Sequence, residues 1–273
     1  MTKAGLPVLT YHAIDRRGSV TSTEPTRFDE TLHAFDEAGF RCVDLEGWIA
    51  AGRPALDRAY AITFDDGLSS MAHAAESLAR YRATATVFLV TGRIGEDNDW
   101  PGQPGWVPRE RLLDWSEIES LRAYGFRFAA HGESHAKLDD LDDATLVDEI
   151  SRSRLALEDH LGAPCRLFAY PYGAASARVR RAVAEHFEAA FTTRLDLARA
   201  AESPHRISRI DAFYLRDDAV VNRIIAGRCQ AWLDGRRALR EFRHLVTHPF
   251  AKLADTLANH ARQDAGLALR RSA

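Results

Sequence analysis

Short apolar segments alternate with amphipathic segments along most of the chain. The apolar segments are rich in β-branched and aromatic residues and end at Gly, Asp or Pro, which is typical of buried strands. They are Leu6–Tyr11, Phe40–Val43, Tyr60–Phe64, Thr84–Val90, Phe126–Ala130, Leu167–Tyr170 and Ala189–Thr192. Between them, stretches such as Phe28–Ala38, Ser69–Arg80 and Ala144–Leu161 repeat apolar residues near a 3.6-residue period, which predicts helices. The alternation favours a parallel sheet, either open or closed into a barrel.

One segment breaks this pattern. Residues Thr91–Leu113 are rich in Gly, Pro, Asp and Trp and show no periodicity. A loop of this length is unusual inside a compact domain and is often functional, so we expect it to form a wall over a site. Directly after it, Asp114 and Glu117 have the spacing of a capping box, which predicts the start of a helix.

The composition is that of an ordinary soluble globular protein. The chain has 273 residues, of which 46% are hydrophobic and 27% charged, so one large domain with a substantial core is expected. Cys42, Cys165 and Cys229 are far apart and show no C-x-x-C spacing, which argues against a disulfide framework or a cysteine zinc site. We expect them to be small buried hydrophobic residues.

The chain shows no obvious membrane or export signal. No apolar run approaches the roughly 18 residues that a membrane-spanning helix needs. The N-terminal sequence M-T-K-A-G-L-P-V-L-T-Y-H lacks both the apolar region and the small-residue cleavage site of a signal peptide. We therefore expect a cytoplasmic protein.

Charge is distributed unevenly around a formal net charge of -3. Residues 222–273 contain ten Lys or Arg against four Asp or Glu, an excess of +6, so residues 1–221 carry -9. The densest basic stretch is R-R-A-L-R-E-F-R at 236–243. A solvated helix face is the ordinary explanation, and peripheral contact with an anionic membrane or a phosphate-bearing, lipid-linked substrate is the alternative. We predict a main domain over residues 1–221 and a basic helical extension, 222–273, packed on that domain, with no nucleic-acid partner.

Polar motifs follow three of the predicted strands. They are T-F-D-D-G at 63–67, H-G-E-S-H at 131–135 and Y-P-Y-G at 170–173. Ligands of parallel α/β folds gather outside the carboxyl ends of the strands. The three motifs are therefore expected on one rim.

Two of these motifs contain residues suited to a catalytic metal. His131 and His135 are four residues apart, and two histidines with one carboxylate are the usual ligands of a catalytic divalent cation. Asp66 can be the carboxylate, which leaves Asp65 to take a proton from a metal-bound water as that water attacks a carbonyl. Alone, an H-x-x-x-H pair is more often incidental and an Asp-Asp pair more often a cap or turn. Their combination on successive strand ends is the stronger indication.

These motifs resemble those of the polysaccharide deacetylase family, also called the NodB-homology family or carbohydrate esterase family four. T-F-D-D-G resembles its first motif, whose first Asp is the catalytic base and whose second Asp binds the metal. H-G-E-S-H resembles its second motif, H-[ST]-x-x-H, with Gly132 where Ser or Thr is usual. V-L-T-Y-H at 8–12 and A-T-V-F-L-V-T-G at 85–92 also resemble family strands, so the resemblance covers about residues 6–212. It implies an α/β fold, a distorted (β/α) barrel of about seven parallel strands, with residues 1–221 as the catalytic domain.

The stretch F-A-Y-P-Y-G at 168–173 is similar to the third family motif and to a branch often found with exopolysaccharide genes. Ala169 stands where the family commonly has an arginine that braces the catalytic aspartate. Arg206 or Arg209, in H-R-I-S-R-I-D-A, could replace that arginine from another strand.

The resemblance also implies how the substrate is held. The backbone N–H of Tyr172 would stabilise the oxyanion, with Pro171 and Gly173 beside it. His12 would line the same pocket, or it is a structural histidine without a role in binding. Trp100, Trp106 and Trp115 are candidates for stacking on sugar rings or for packing under the loop.

The last family motif supplies a histidine that protonates the leaving amine. His248, in H-L-V-T-H-P-F, is the preferred candidate and His205, in S-P-H-R-I-S, the second. Neither stands in a clean family pattern, so a different or absent acid stays open.

The implied activity is metal-dependent removal of N-acetyl groups from an amino sugar in a poly- or oligosaccharide or its precursor. Asp65 would be the base and a metal-bound water the nucleophile. Zn²⁺, or Co²⁺, Ni²⁺ or Mn²⁺, would be held by Asp66, His131 and His135. A cytoplasmic location favours nucleotide-linked, lipid-linked or short saccharides as substrates. The alternatives are a non-catalytic carbohydrate-binding protein on this fold and a hydrolase of O-acetyl esters or other non-peptide amides.

Overall fold

Seven parallel strands close into a barrel in the computed structural model, which describes residues 5–173 and 175–240. The strands in these ranges are β1 Val8–Tyr11, β2 Ala13–Ile14, β3 Ser22–Thr23, β4 Arg41–Cys42, β5 Ala59–Phe64, β6 Ala85–Leu89, β7 Phe126–Ala130, β8 Leu167–Ala169, β9 Ala189–Leu195 and β10 Ile207–Asp211. The order around the ring is β1-β10-β9-β8-β7-β6-β5, and β5 pairs with β1 to close it. The predicted α/β barrel of about seven parallel strands is confirmed.

The seven strands of the ring differ in one member from those predicted. The segment Phe40–Val43 contributes only the short strand β4. This strand pairs with β5 but is not one of the seven strands of the closed ring. The seventh ring strand is β10, which the apolar pattern did not indicate. Ser208 and Arg209 are polar but buried, and they interrupt the apolar pattern of a strand whose first four residues are all buried.

Helices lie between most of the strands in the manner of βα units, and the last helix follows β10. They are α1 Pro25–Glu37, α2 Leu45–Ala50, α3 Ala75–Arg80, α4 Trp115–Leu121, α5 Asp143–Leu161, α6 Ala177–Ala184 and α7 Asp218–Ile225. The predicted helix over Ser69–Arg80 is a 3₁₀ turn, Ser69–Ala74, followed by α3. At α4 both hydrogen bonds of the predicted capping box are present.

One buried cluster receives side chains from all seven ring strands. Its members in the strands are Val8, Ala59, Ala61, Phe88, Ala129, Leu167, Ala169, Ala189, Phe191 and Ile207. Phe88 and Phe191 are in contact, with ring centroids 5.4 Å apart, and alanines occupy many of the remaining positions. Such layers of interior side chains make a barrel a packed core rather than a pore, which gives its rim a rigid base.

The three cysteines are free and form no disulfide, and Cys165 and Cys229 are buried, as expected. Cys42 is half-buried as a residue. Burial raises the pKa of Cys42 to about 11 and that of Cys165 to about 12. These thiols therefore remain protonated and unreactive at neutral pH.

The chain divides into two compact units, Met1–Gln230 and Ala231–Ala273. In the second unit residues 231–240 are helical, and residues 241–273 lie outside the described residues. A boundary at 221 and packing of the basic extension 222–273 on the main domain therefore stay predictions. Among the helices that the structure describes, none is long and apolar enough to cross a bilayer.

Candidate active site

Most of the predicted site residues lie just beyond the carboxyl ends of ring strands. Asp65 and Asp66 follow β5, His131 follows β7 and Pro171 follows β8 with one residue between them. His12 directly follows β1, which neighbours β5 in the ring. Strands that are distant in sequence thus bring these side chains to one rim.

Asp66, His131 and His135 form a compact cluster. One atom of each group lies within 4.8 Å of the others. Oδ1 of Asp66 is 3.5 Å from Nε2 of His131 and 3.3 Å from Nε2 of His135. Both histidines are buried, so the three ligand atoms face one another in a site largely closed to solvent.

This donor set fits a divalent transition metal. Two imidazole nitrogens and one carboxylate oxygen are the protein ligands of many catalytic zinc sites. Ligands about 2.0–2.1 Å from a tetrahedral ion lie roughly 3.3 Å from one another, close to the two separations between Asp66 and the histidines. A zinc-sized ion therefore needs little rearrangement of these side chains.

A backbone contact sets the orientation of His131. Its Nδ1–H donates to the carbonyl oxygen of Ala169 at 2.8 Å. The neutral imidazole then has its lone pair on Nε2, the atom that faces Asp66. Such an outer hydrogen bond is the usual way in which a metal-binding histidine is held in the correct tautomer.

The electrostatics of the cluster favour positive charge at its centre. Burial raises the pKa of Asp66, but hydrogen bonds with His131 and His135 outweigh it and hold that pKa well below its ordinary value. Burial lowers the pKa of His131, and its hydrogen bond with Asp66 reverses the shift and raises it. At His135 burial prevails and the pKa is lowered. A protonated histidine or a cation can thus offset the carboxylate.

Asp65 forms an ion pair with an arginine that is distant from it in the sequence. Arg209, on β10, donates from Nη1 to Oδ1 and from Nη2 to Oδ2 of Asp65, both at 2.7 Å. Its Nε–H donates to the carbonyl oxygen of Thr192 at 3.1 Å, and the guanidinium carbon lies 5.6 Å from the centroid of the Phe88 ring. Burial raises the pKa of Asp65, but the charge of Arg209 brings it below its ordinary value. Asp65 is therefore ionised at neutral pH.

Arg209 makes with Asp65 the arginine–carboxylate contact that Ala169 cannot make. Ala169 belongs to the same core cluster as Phe88, and the guanidinium of Arg209 lies against the Phe88 ring. Of the two arginines considered, Arg206 is exposed and precedes β10, whereas Arg209 is buried within it. The bracing arginine thus comes from β10 instead of β8.

One residue of the long loop, Trp100, packs against the Asp66–His131–His135 cluster. Trp100 is buried and packs with Leu68, Val90 and Leu112. The centroids of the Trp100 and His135 rings are 4.2 Å apart. Trp106 is 63% exposed, which leaves it available for stacking on a ligand. Trp115 stacks on His160 instead, with ring centroids 3.7 Å apart.

The Y-P-Y-G turn beside His135 has a constrained backbone. Tyr172 has a left-handed conformation with φ of 58°, and its half-exposed ring lies 4.6 Å from that of His135. Gly173 follows with φ of 71°, and a Cβ there would lie 2.0 Å from Oγ1 of Thr193. Only glycine fits this position, while Pro171 is buried at the start of the turn.

His12, predicted to line the pocket, and the two histidines predicted as possible proton donors, His205 and His248, lie in different parts of the chain. His12 directly follows Tyr11, which pairs with Phe64 of β5 and accepts a hydrogen bond from the N–H of Asp65 at 3.0 Å, so His12 lies on the same part of the rim as the two aspartates. His205 precedes β10, and its Nε2 hydrogen bonds with the carbonyl oxygen of Phe187 at 2.8 Å. The structure therefore does not bring His205 to the strand ends that carry the aspartates. His248 lies outside the described residues.

One buried acid near the cluster was not among the predicted site residues. Glu149 lies on α5, where its buried neighbours along the helix are Leu146, Ile150, Ser153 and Leu157. Its carboxylate contacts the segment between His131 and His135. A glutamate on the apolar face of an amphipathic helix is the sequence signal that could have found it.

Comparison with known proteins agrees with this geometry. The family model described as polysaccharide deacetylase matches residues 52–188, half of the chain. The chain belongs to the polysaccharide deacetylase family. The matched region contains Asp65, Asp66 and both cluster histidines. No curated protein sequence matches the chain.

Solved structures of polysaccharide deacetylases share the fold. IcaB from Ammonifex degensii is 22% identical with a TM-score of 0.67, and the alignment covers 82% of this chain and 97% of that chain. A Streptococcus pyogenes deacetylase, PplD, solved in complex with acetate, is 22% identical with a TM-score of 0.66, covering 77% and 93%. A Bacillus cereus polysaccharide deacetylase is 22% identical with a TM-score of 0.64, covering 76% of this chain. The alignment spans 64% of the Bacillus cereus chain, less than two thirds of its length.

Proposed function

We propose that this family member is a metal-dependent hydrolase that removes N-acetyl groups from an amino sugar in a poly- or oligosaccharide or its precursor. The observation that carries the proposal is the pair of unlike carboxylate environments on one rim. Asp66 faces two histidine nitrogens, and Asp65 is held ionised by Arg209. One aspartate is thus suited to bind a cation and the other to accept a proton.

Each step of the reaction has a candidate group in this chain. Asp66, His131 and His135 would hold a divalent cation, which when bound would supply Lewis acidity to water and to the acetyl carbonyl. Asp65 accepts the proton of the attacking water because Arg209 keeps its carboxylate charged. The backbone N–H of Tyr172 is the proposed donor to the oxyanion. The amine leaves after protonation, and acetate and a free amino sugar result.

We assign the general-acid role to His12 among the described residues. It stands on the rim directly beyond β1, whose last residue, Tyr11, pairs with Phe64, the residue before Asp65. His248, the residue favoured from sequence, stays a prediction because it lies outside the described residues. Comparing His12→Gln with His248→Gln in the same assay separates the two assignments. The larger loss of kcat identifies the acid.

The alternative of a non-catalytic saccharide-binding protein rested on the unclear general acid and on the arginine missing at Ala169. Arg209 removes the second of these supports, because it makes two 2.7 Å contacts with Asp65. Hydrolysis of O-acetyl esters uses the same groups and differs in the substrate bond. The substrate panel must therefore contain both N-acetyl and O-acetyl sugars.

Acetate release from such a panel tests the proposal. The panel should include polymers, short oligosaccharides and nucleotide- or lipid-linked N-acetyl sugars, with protein loaded with Zn²⁺, Co²⁺, Ni²⁺ or Mn²⁺. Asp65→Asn should lower kcat by about 100-fold or more, the usual contribution of a positioned general base. Asp148→Asn, on the exposed face of α5, is the control and should behave like the wild type. Full activity of Asp65→Asn would exclude the assigned base.

A further inference from the structure

The segment from His131 to His135 carries two of the three proposed metal ligands. Two of its carbonyl groups accept hydrogen bonds from the segment after β6. The N–H of Thr91 donates to the carbonyl oxygen of Gly132 at 3.2 Å, and the N–H of Gly92 donates to that of Glu133 at 2.7 Å. The segment has no regular secondary structure of its own. Its N–H groups therefore need acceptors from elsewhere, because an unpaired backbone donor in a buried site is costly.

Glu149 provides those acceptors. Its Oε2 accepts from the backbone N–H groups of Glu133 and Ser134, both at 3.0 Å. Its Oε1 accepts from the hydroxyl of Ser134. Glu149 is 6% exposed, and a buried carboxylate is stable only when hydrogen bonds of this kind satisfy it. The contacts connect the ligand segment to α5, a rigid helix of 19 residues.

The same carboxylate explains the glycine between the two ligands. Gly132 has φ of 82°, a conformation that side chains rarely adopt. A Cβ at this position would lie 3.3 Å from Oε2 of Glu149. Glycine therefore lets the carboxylate approach the backbone closely, so Gly132 and Glu149 form one structural unit.

We propose that Glu149 is a positioning residue that pre-forms the metal site by fixing the segment between His131 and His135. It does not contact the ligand nitrogens and acts through the backbone of Glu133 and Ser134. The inference rests on the proposed metal-dependent function, since it assigns a role within that site. Groups that orient metal ligands from the outer layer typically contribute 10–100-fold to metal affinity.

Metal affinity of three variants tests this role without an activity assay. Glu149→Leu keeps similar volume and removes every acceptor, so we expect its Kd for Zn²⁺ and Co²⁺ to rise about 10–100-fold. Glu149→Gln can still accept both backbone N–H groups and donate to the Ser134 hydroxyl, so it should stay close to the wild type. Asp148→Asn, the exposed neighbour on α5, is the matched control. Competition with a chromogenic chelator gives Kd, and the visible spectrum of bound Co²⁺ reports the coordination geometry.

Amide hydrogen exchange in metal-free wild-type protein provides a measurement that does not depend on how the variants fold. The amides of Glu133 and Ser134 should exchange slowly before any metal is added. Rapid exchange of both amides would overturn the role of Glu149. So would a Glu149→Leu variant with the Kd values and Co²⁺ spectrum of the wild type. Neither result would exclude the proposed function. Wild-type protein that binds neither ion would instead overturn the metal centre and the inference with it.

Discussion

Asp65 and Asp66 are neighbours in the chain, yet their environments are unlike. Asp66 has a left-handed backbone, with φ of 71°, and its carboxylate faces His131 and His135. Asp65 remains within the hydrogen-bonding pattern of the sheet, with its N–H donating to the carbonyl oxygen of Tyr11 at 3.0 Å. The change of backbone conformation between them directs two adjacent carboxylates to different partners.

The Asp65–Arg209 pair predicts the effect of a single substitution. Both side chains are buried, so Arg209→Met should leave an uncompensated charge and lower the free energy of unfolding by about 3–5 kcal/mol. Deacetylation should fall as well, because the pKa of Asp65 loses its main lowering influence. Urea unfolding and acetate release measure the two effects.

Arg206→Met provides the matched control for this prediction. Arg206 is exposed and lies three residues earlier in the chain, so its replacement should change stability by no more than about 0.5 kcal/mol. Arg209→Lys should fall between the two, since an ammonium retains the charge but not the two-pronged contact. Equal stability of the Arg206 and Arg209 methionine variants would contradict the structural role of the buried pair.

At the scale of elements, α4 and α5 show how local sequence signals and packing combine. The start of α4 is readable from sequence because its capping box involves residues three apart. The role of α5 is not, because Glu149 acts on a segment 15 and 16 residues away that it meets only in the folded chain. The strand β10 was missed for a similar reason, since Arg209 reads as polar although it is buried.

The capping box of α4 predicts how much a single N-cap residue contributes to stability. Oδ1 of Asp114 accepts from the N–H of Glu117 at 2.9 Å, and Oε2 of Glu117 accepts from the N–H of Asp114 at 2.9 Å. Asp114→Ala should therefore destabilise the protein by about 1 kcal/mol, the usual value of an N-cap. Asp114→Ser keeps a capping oxygen and should lose much less. If the two variants unfold at the same denaturant concentration, the cap does not contribute to stability.

At the scale of the whole barrel, closure of the ring creates the site. Asp66 and His135 are separated by 69 positions in the chain, and Asp65 and Arg209 by 144. Pairing of β5 with both β1 and β6, and of β6 with β7, brings the strand ends together. A metal that binds only this closed arrangement must stabilise the folded state.

Metal addition should therefore raise the melting temperature. At a free metal concentration 100 times Kd, the folded state gains about 2.7 kcal/mol, which corresponds to a rise in Tm of roughly 5–10 °C for a chain of this size. A chelator should reverse the rise. Asp66→Asn is the preferred control because Asn tolerates the left-handed backbone at this position while lacking the charge. A full rise in Tm for that variant would show that the metal binds elsewhere.

The sequence alone determined the class of fold and the residues of the proposed metal cluster. The alternation of apolar and amphipathic segments is a local pattern, and each of the motifs T-F-D-D-G and H-G-E-S-H is contiguous. The strands, the helices and the motif residues can therefore be predicted from the sequence alone. The family model matches the same region. These features reflect chemistry between residues that are close together in the chain or share a known motif.

Only the tertiary structure decided which distant groups complete the site. It selected Arg209 over Arg206 as the partner of Asp65, placed His12 rather than His205 at the strand end next to that of the aspartates and joined Glu149 to the segment between the two histidines. Each choice depends on the ring order and on which face of a strand or helix is buried. Sequence spacing does not contain that information, because the contacts form between residues that meet only when the barrel closes.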